Sequence, residues 1–123
     1  MKFASVRLVT NDFERLLEFY HTLSGVEPLR LADGFAEIHF EGVVVAISSA
    51  HLIQLFNAGA ATAASNQSAI LEFQVDDVDL VCERMRGTGA RIVMPTTVMP
   101  WGNRSLLLRD PDGSMVNIFS KPS

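Results

Sequence analysis

The sequence repeats one pattern twice, and this repeat is the feature that most restricts the fold. Each copy opens with a short apolar segment that ends in polar residues, Leu8–Phe13 in the first half and Phe73–Val78 in the second. Each segment contains an aspartate, Asp12 or Asp77, of the kind that caps the start of a helix. We therefore expect the chain to build one arrangement of strands and helix twice.

The residues that follow each aspartate have the spacing of an amphipathic helix. Apolar side chains recur at i, i+3, i+4 and i+7, which places them on one helix face. Glycine, which adopts the left-handed conformation of many helix ends, follows at Gly25 in the first copy and at Gly87 or Gly89 in the second. The apolar positions are Phe13, Leu16, Leu17 and Tyr20 in the first copy, and Val78, Val81, Cys82 and Met85 in the second.

Three strand-like segments follow each helix, so the sequence predicts an α+β fold with the order βαβββ twice. We expect a single domain over residues 1–123, with a first module at about 1–56 and a second at 69–120. Residues 57–68 are rich in Ala, Ser, Gly and Asn, which favours a mobile linker over a short helical turn. The predicted strands are Val26–Leu31, Phe35–Glu41 and Val43–Ser48, then Arg91–Val98, Asn103–Arg109 and Met115–Ser120.

Composition excludes several classes of partner. The net charge of −4 argues against nucleic acid, which is bound by basic patches. Cys82 is the only cysteine, so no internal disulfide can form, and its place on an apolar helix stripe favours a small buried hydrophobe. No run approaches the ~18 apolar residues of a membrane span. We expect a soluble cytoplasmic protein whose partners are a small molecule and a second copy of itself.

Two loops near the C-terminus carry a resemblance to a known family. Asp110–Gly113 is an Asp-Pro-Asp-Gly turn that leads into an apolar strand, and Pro100–Gly102 precedes the strand before it. Together with the repeat, these segments resemble the vicinal oxygen chelate superfamily, which includes glyoxalases, bleomycin resistance proteins and extradiol dioxygenases. The resemblance extends from about Phe3 to Ser120. It implies two βαβββ modules that form a curved mixed sheet around a cavity, one helix packed outside each module, and a homodimer.

The resemblance also implies where a metal ion would bind. In metal-binding members, one ligand of each module lies seven residues before the helix-capping aspartate, which gives Ser5 and Ile70 here. The other lies four residues after a turn glycine, which gives Ala46 and Asn117. A glutamate is usual at the last position. Divalent metals prefer carboxylate, imidazole or thiolate ligands, so we predict no bound metal and no cofactor.

A non-standard metal site is an alternative in the first module. Strand alternation places Glu37, His39 and Glu41 on one face of their strand. These side chains are suitable ligands by type, but same-face neighbours lie about 6–7 Å apart along a strand. A solvated polar face is therefore the favoured interpretation.

Alternation also predicts which side chains line the cavity that the resemblance implies. If Ser5 and Ile70 face it, then so do Arg7 and Glu72, and we expect these two to form an ion pair. An aromatic residue near Trp101 stacks on a flat ligand in bleomycin-resistance-like members, and Phe119 shares the face of Asn117. The predicted ligand-binding residues are Ser5, Arg7, Ile70, Glu72, Trp101, Asn117 and Phe119.

These residues favour a metal-free protein that captures a small aromatic or amphipathic compound. The alternative is a lyase, isomerase or dioxygenase-like enzyme of the same family. In that case Glu72 is the candidate general base and Arg7 the candidate anion stabiliser, or a non-standard metal site is used. A third interpretation is a degenerate member that acts as a partner-binding or regulatory module.

Overall fold

A computed structural model describes residues 1–122; Ser123, the last residue of the predicted domain, lies outside the described residues. The order βαβββ occurs twice, which confirms the predicted α+β fold, and one further helix follows the first copy. The elements are β1 (Ser5–Thr10), α1 (Phe13–Ser24), β2 (Leu29–Ala32), β3 (Phe35–Phe40), β4 (Val43–Ser49), α2 (Ala50–Phe56), β5 (Ile70–Gln74), α3 (Val78–Gly87), β6 (Arg91–Val98), β7 (Arg104–Arg109) and β8 (Met115–Ser120).

The strands form two four-stranded sheets of the same topology. The first has the order β1-β4-β3-β2 and the second the order β5-β8-β7-β6. β1–β4 and β5–β8 are parallel and the other pairs are antiparallel, so both sheets are mixed. Arg7 lies opposite Ala46 in the first sheet as Glu72 lies opposite Asn117 in the second. The two sheets therefore correspond in the register of their parallel strand pairs.

The chain divides into two compact units, residues Met1–Ser65 and those from Asn66 onward. This boundary falls inside the predicted linker 57–68, which contains no helix. Asn66 fixes the end of that segment to the second unit. Its side-chain oxygen accepts a hydrogen bond from the amide of Ala69 at 3.1 Å, and its amide nitrogen donates to the Ser114 hydroxyl at 3.2 Å.

Helix α1 begins and ends at the residues that its sequence indicates. The Asp12 carboxylate accepts a hydrogen bond from the backbone N–H of Arg15 at 3.3 Å, satisfying a donor of the first turn. Gly25 ends the helix with a φ of +73°, and its N–H donates to the His21 carbonyl at 2.7 Å. The apolar face packs on β3 and β4. Its buried residues are Leu16, Leu17, Phe19, Tyr20 and Leu23.

Helix α3 repeats this arrangement in the second unit. Asp77 caps it by accepting from the N–H of Leu80 at 3.1 Å. The predicted apolar positions Val78, Val81, Cys82 and Met85 are all buried, and the helix packs on β6, β7 and β8. Cys82 is thus a buried free thiol. The strand residues beneath the helix are Leu106, Leu108, Val116 and Ile118, each essentially inaccessible to solvent.

An arginine ties the first turn of each main helix to its sheet. Both guanidinium end nitrogens of Arg30, on β2, contact the Glu14 carboxylate at 2.8 and 2.9 Å. Arg104, on β7, bonds the equivalent Asp79 at 2.9 and 3.2 Å. These hydrogen bonds lower the pKa of Glu14 and of Asp79. The two carboxylates also sit at helix N-termini, where negative charge is favoured.

Helix α2, over residues Ala50–Phe56, was not predicted and gives the first unit a second helix. It has only seven residues, and the preceding Ser49 makes no side-chain capping bond. Ile53 is its one buried residue, so its sequence lacks the repeating stripe that identified α1 and α3. Among residues 1–122, no helix has the length and apolar character needed to cross a membrane.

Candidate functional site

Within the described residues of the second unit, α3 covers one face of the sheet, and no helix of that unit packs on the other face. Leu106, Leu108, Val116 and Ile118 are buried against α3, so strand alternation directs their neighbours to the opposite side. We call this side the helix-free face. Its central residues are Ile70 and Glu72 of β5, Asn117 and Phe119 of β8, and Leu107 and Arg109 of β7.

Glu72 and Asn117 form a hydrogen-bonded pair in the middle of the helix-free face. The Asn117 amide nitrogen donates to Glu72 Oε2 at 2.8 Å, across the parallel β5–β8 pair. A charged acceptor strengthens this bond. Asn117 Oδ1 is buried and has no hydrogen-bond partner within residues 1–122. An unsatisfied buried acceptor is costly, so Asn117 retains the capacity to accept a hydrogen bond.

The Asp-Pro-Asp-Gly turn fixes where Asn117 lies. Asp110 is buried, and its Oδ1 accepts hydrogen bonds from the backbone amides of Asp112 and Ser114, both at 2.9 Å. Gly113 closes the turn with a φ of +90°, a backbone conformation that glycine adopts readily and residues with a Cβ atom do not. The turn sets the register in which Asn117 faces Leu107 and Glu72.

Trp101 lies at the tip of the β6–β7 hairpin, and its side chain is exposed. The loop is closed by hydrogen bonds from Met99 N to Asn103 O at 2.7 Å and from Gly102 N to Met99 O at 2.8 Å. A Cβ atom on Gly102 would lie 2.7 Å from Pro122 Cγ, so the loop is packed against the end of the chain. Trp101 itself is 67% exposed. Loop packing therefore leaves most of the indole available for contact.

The remaining predicted site residues lie in the first unit. Ser5 and Arg7 are exposed on the edge strand β1, whereas the neighbouring Ala46 is buried on β4. Ser5 lies opposite Val44 and Arg7 opposite Ala46. Arg7 and Glu72 occupy equivalent positions of separate units, so the proposed ion pair between them stays a prediction.

The side chains considered for a non-standard metal site form a pair rather than a triad. His39 Nε2 lies 3.0 Å from Glu37 Oε1, a contact that uses the imidazole for a hydrogen bond. Glu41 lies beyond the end of β3, in the turn to β4. Among residues 1–122, no three His, Cys, Asp or Glu side chains are grouped as a metal site. At the four positions where the resemblance implies a metal ligand, Asn117 and Ser5 offer only neutral oxygens, and Ala46 and Ile70 offer none.

We predict that the purified protein carries no stoichiometric divalent metal, because these four side chains bring no charge to a cation. The measurement is elemental analysis after gel filtration in buffer without chelator. One tightly held Zn, Ni, Mn or Fe ion per chain would contradict this prediction and would direct attention to His39 and Glu37.

Two arginines of the helix-free side were not among the predicted site residues. Arg91 on β6 lies directly opposite Arg109 on β7. Arg109 shares its side of the sheet with Leu107, and it pairs with Met115, which shares its side with Asn117. The sequence alone could have identified Arg109. Met115 lies two residues before Asn117 and therefore on the same face, and Arg109 is its partner across the turn. Arg91 is harder to place from sequence because β6 contains irregularities between Ile92 and Thr97.

Comparison with known proteins places this geometry in context. The family model of the Glyoxalase/Bleomycin resistance protein/Dioxygenase superfamily matches residues 2–118. A glyoxalase/bleomycin resistance protein/dioxygenase from Nocardioides is 26% identical, with a TM-score of 0.79 over 100% of this chain and 85% of that chain. No curated protein sequence matches significantly.

Two further solved structures are similar in fold. A glyoxalase/bleomycin resistance protein/dioxygenase family enzyme from Burkholderia phytofirmans PsJN has a TM-score of 0.85 at 17% identity, covering 98% of both chains. A glyoxalase-related enzyme from Fulvimarina pelagi has a TM-score of 0.84 at 23% identity, covering 98% of this chain and 88% of that chain.

Proposed function

Because the chain belongs to the Glyoxalase/Bleomycin resistance protein/Dioxygenase superfamily, we propose that it is a metal-free binding protein of the cytoplasm. Its ligand is a small aromatic or amphipathic molecule, held on the helix-free face of the second sheet. The sequence-predicted residues Ile70, Glu72, Asn117 and Phe119 lie on that face, and Trp101 stands at its hairpin end. Ser5 and Arg7, which the sequence also predicts to bind the ligand, lie in the first unit.

The observation that carries this proposal is the mixed chemistry of the helix-free face. Ile70 is 55% exposed and Trp101 67% exposed, so both side chains offer apolar area to a ligand. Between them lies the Glu72–Asn117 pair, with an unsatisfied amide oxygen. Ligand sites typically combine apolar walls with a few polar groups that fix orientation. This face has both components.

The identity of residue 117 favours binding over metal-assisted chemistry. A metal that polarises a substrate oxygen needs charged or imidazole ligands to hold it. Asn117 is neutral, and its nitrogen is already committed to Glu72. Asn117, at the position where the resemblance implies a metal ligand, is therefore suited to forming a hydrogen bond with an organic group.

The enzymatic alternative also rests on Glu72. One of its oxygens accepts the Asn117 bond, and the carboxylate is exposed enough to reach a substrate proton. The sequence makes Arg7 the candidate anion stabiliser for this alternative. Binding is the simpler proposal because it requires no proton transfer.

Trp101 provides the test of binding, since it is the only tryptophan. We expect a planar aromatic compound to quench or shift its fluorescence saturably, because stacking changes the surroundings of the indole. Trp101→Ala should weaken binding by more than about 1 kcal/mol, or roughly fivefold, since stacking and buried area are both lost. A panel of planar antibiotics, flavins and phenolic acids, titrated by fluorescence and by calorimetry, measures both effects.

Leu80→Ala is the matched control for this experiment. Leu80 is also an exposed apolar residue of the second unit, but it lies on α3. Both substitutions should change the free energy of unfolding by less than about 0.5 kcal/mol, as exposed positions usually do, and only Trp101→Ala should weaken binding. If no compound of the panel changes the Trp101 fluorescence and Trp101→Ala lowers the free energy of unfolding, the indole only packs its loop and the binding proposal is wrong.

We also propose that the protein is a homodimer. Leu29 and Leu31 are about half exposed on β2, an edge strand of the first sheet. Apolar edge strands are usually covered, and a symmetric second copy is the commonest partner in soluble proteins. Light scattering at micromolar concentration should give twice the chain mass of 13.5 kDa. A single species at the chain mass would contradict the dimer.

A further inference from the structure

We propose that the ligand carries an acidic group, a carboxylate or phosphate, which binds to Arg91 and Arg109. This inference rests on the proposed function and narrows its ligand class to aromatic acids. Arg91 and Arg109 lie opposite each other on the antiparallel β6–β7 pair. Like charges placed directly opposite on neighbouring strands destabilise a sheet unless a counter-charge lies between them.

The structure holds both guanidinium groups in place through hydrogen bonds to backbone carbonyls. Arg109 donates from one end nitrogen to the Gly113 carbonyl at 2.8 Å, and Arg91 donates to the Asp110 carbonyl at 3.3 Å. Both acceptors belong to the Asp-Pro-Asp-Gly turn. Among residues 1–122, the ion pairs involve other cations, and neither of these arginines takes part in one.

Each guanidinium therefore keeps donors for a ligand. An arginine has five N–H groups in a planar fork, which matches the two oxygens of a carboxylate or phosphate. Arg91 and Arg109 each use only one nitrogen for the turn. Because the turn fixes the forks in advance, binding an anion orders little further.

The distance from the Arg91–Arg109 pair to Phe119 indicates the length of the ligand that would fit. Arg109 lies opposite Met115 on β8, four residues before Phe119. Four strand residues span about 13 Å, with Trp101 beyond the Phe119 end. A flat molecule with its acid at the arginine end would pass over the Glu72–Asn117 pair and place its ring near Phe119. The equivalent of Arg109 in the first sheet is His39, which pairs with Glu37, so the arginine pair is particular to the second unit.

The experiment compares two probes of matched shape, 2-naphthoate and 2-naphthalenemethanol, by calorimetry in EDTA. The native protein should bind the acid about tenfold more tightly than the alcohol at low ionic strength, with a smaller ratio at high salt. Arg91→Gln and Arg109→Gln should each reduce the ratio to about twofold or less, mainly by weakening binding of the acid, because Gln keeps an N–H donor for the hydroxyl of the alcohol. Arg109→Lys keeps a donor for the turn and a charge, and should keep most of the preference.

Arg104→Gln is the matched control, because Arg104 lies on the same strand but bonds Asp79 of α3 on the other side. It removes the same charge and should leave the tenfold ratio intact. Equal affinity of the native protein for both probes, or an equal loss of preference in Arg104→Gln, would overturn the inference while leaving the binding proposal in place. Failure of both probes to bind the native protein, with no response of Trp101 to any planar compound, would instead reject the proposed function and this inference with it.

Discussion

Replacing Asp110 with alanine is expected to reduce the free energy of unfolding by about 3 kcal/mol. Asp110 is only 1% exposed, and its carboxylate accepts two backbone hydrogen bonds from Asp112 and Ser114. Alanine would leave one buried and one part-buried donor without this acceptor, and an unsatisfied buried group costs about 1–3 kcal/mol. Urea denaturation followed by circular dichroism measures the loss.

Asp112 is the control within the same turn. One of its carboxylate oxygens, Oδ2, is buried without a hydrogen-bond partner in the described chain. Removing the Asp112 side chain should therefore cost less stability than removing that of Asp110. Asp112→Ala should cost about 1 kcal/mol or less, and Asp110→Asn, which keeps one acceptor oxygen, should fall between the two alanine variants. Equal losses for Asp110→Ala and Asp112→Ala would show that the Asp110 hydrogen bonds do not hold the turn.

Ile118→Ala is expected to have the largest effect on stability, a loss of about 2–5 kcal/mol. Ile118 is 1% exposed and lies beneath α3 on the central strand β8. The substitution removes buried apolar area and leaves a cavity that the rigid sheet cannot close. Ile118→Val, with an expected loss of about 0.5–1.5 kcal/mol, provides a measurable step if the alanine variant is largely unfolded.

Ile70 offers the opposite case for the same residue type. It is 55% exposed on the edge strand β5, so Ile70→Ala should change the free energy of unfolding by less than about 0.5 kcal/mol. The same variant should weaken ligand binding, because Ile70 forms part of the helix-free face. Comparable losses of stability at positions 70 and 118 would contradict the assignment of the two faces.

The fold could be read from sequence because several local signals agree. Asp12 and Asp77 cap the helices where the spacing of apolar residues begins. The predicted bounds of β6 and β8 match those observed. β2 starts at Leu29 and not at Val26; Pro28 intervenes, and proline has no N–H to donate to a sheet. Helix α2 was missed because two turns without a capping side chain give too weak a pattern.

The site was harder to predict from sequence than the fold, because its chemistry depends on the register between neighbouring strands. Alternation placed Glu72 and Asn117 on defined faces, but their hydrogen bond follows only from the pairing of β5 with β8. Arg91 opposes Arg109 through a strand whose pairing is irregular, and no count along the chain predicts that contact. The exposure of Trp101 likewise depends on the conformation of the hairpin loop, which strand alternation does not predict.

The most direct test of metal-free binding on the helix-free face is a nuclear magnetic resonance titration of ¹⁵N-labelled protein in EDTA. The Asn117 side-chain amide and the Trp101 indole N–H are reporters at two points of the proposed site. With planar aromatic acids as ligands, we predict saturable shifts of both signals with a common dissociation constant and no added metal. No shift in EDTA for any compound, followed by shifts once a divalent metal is supplied, would contradict the account.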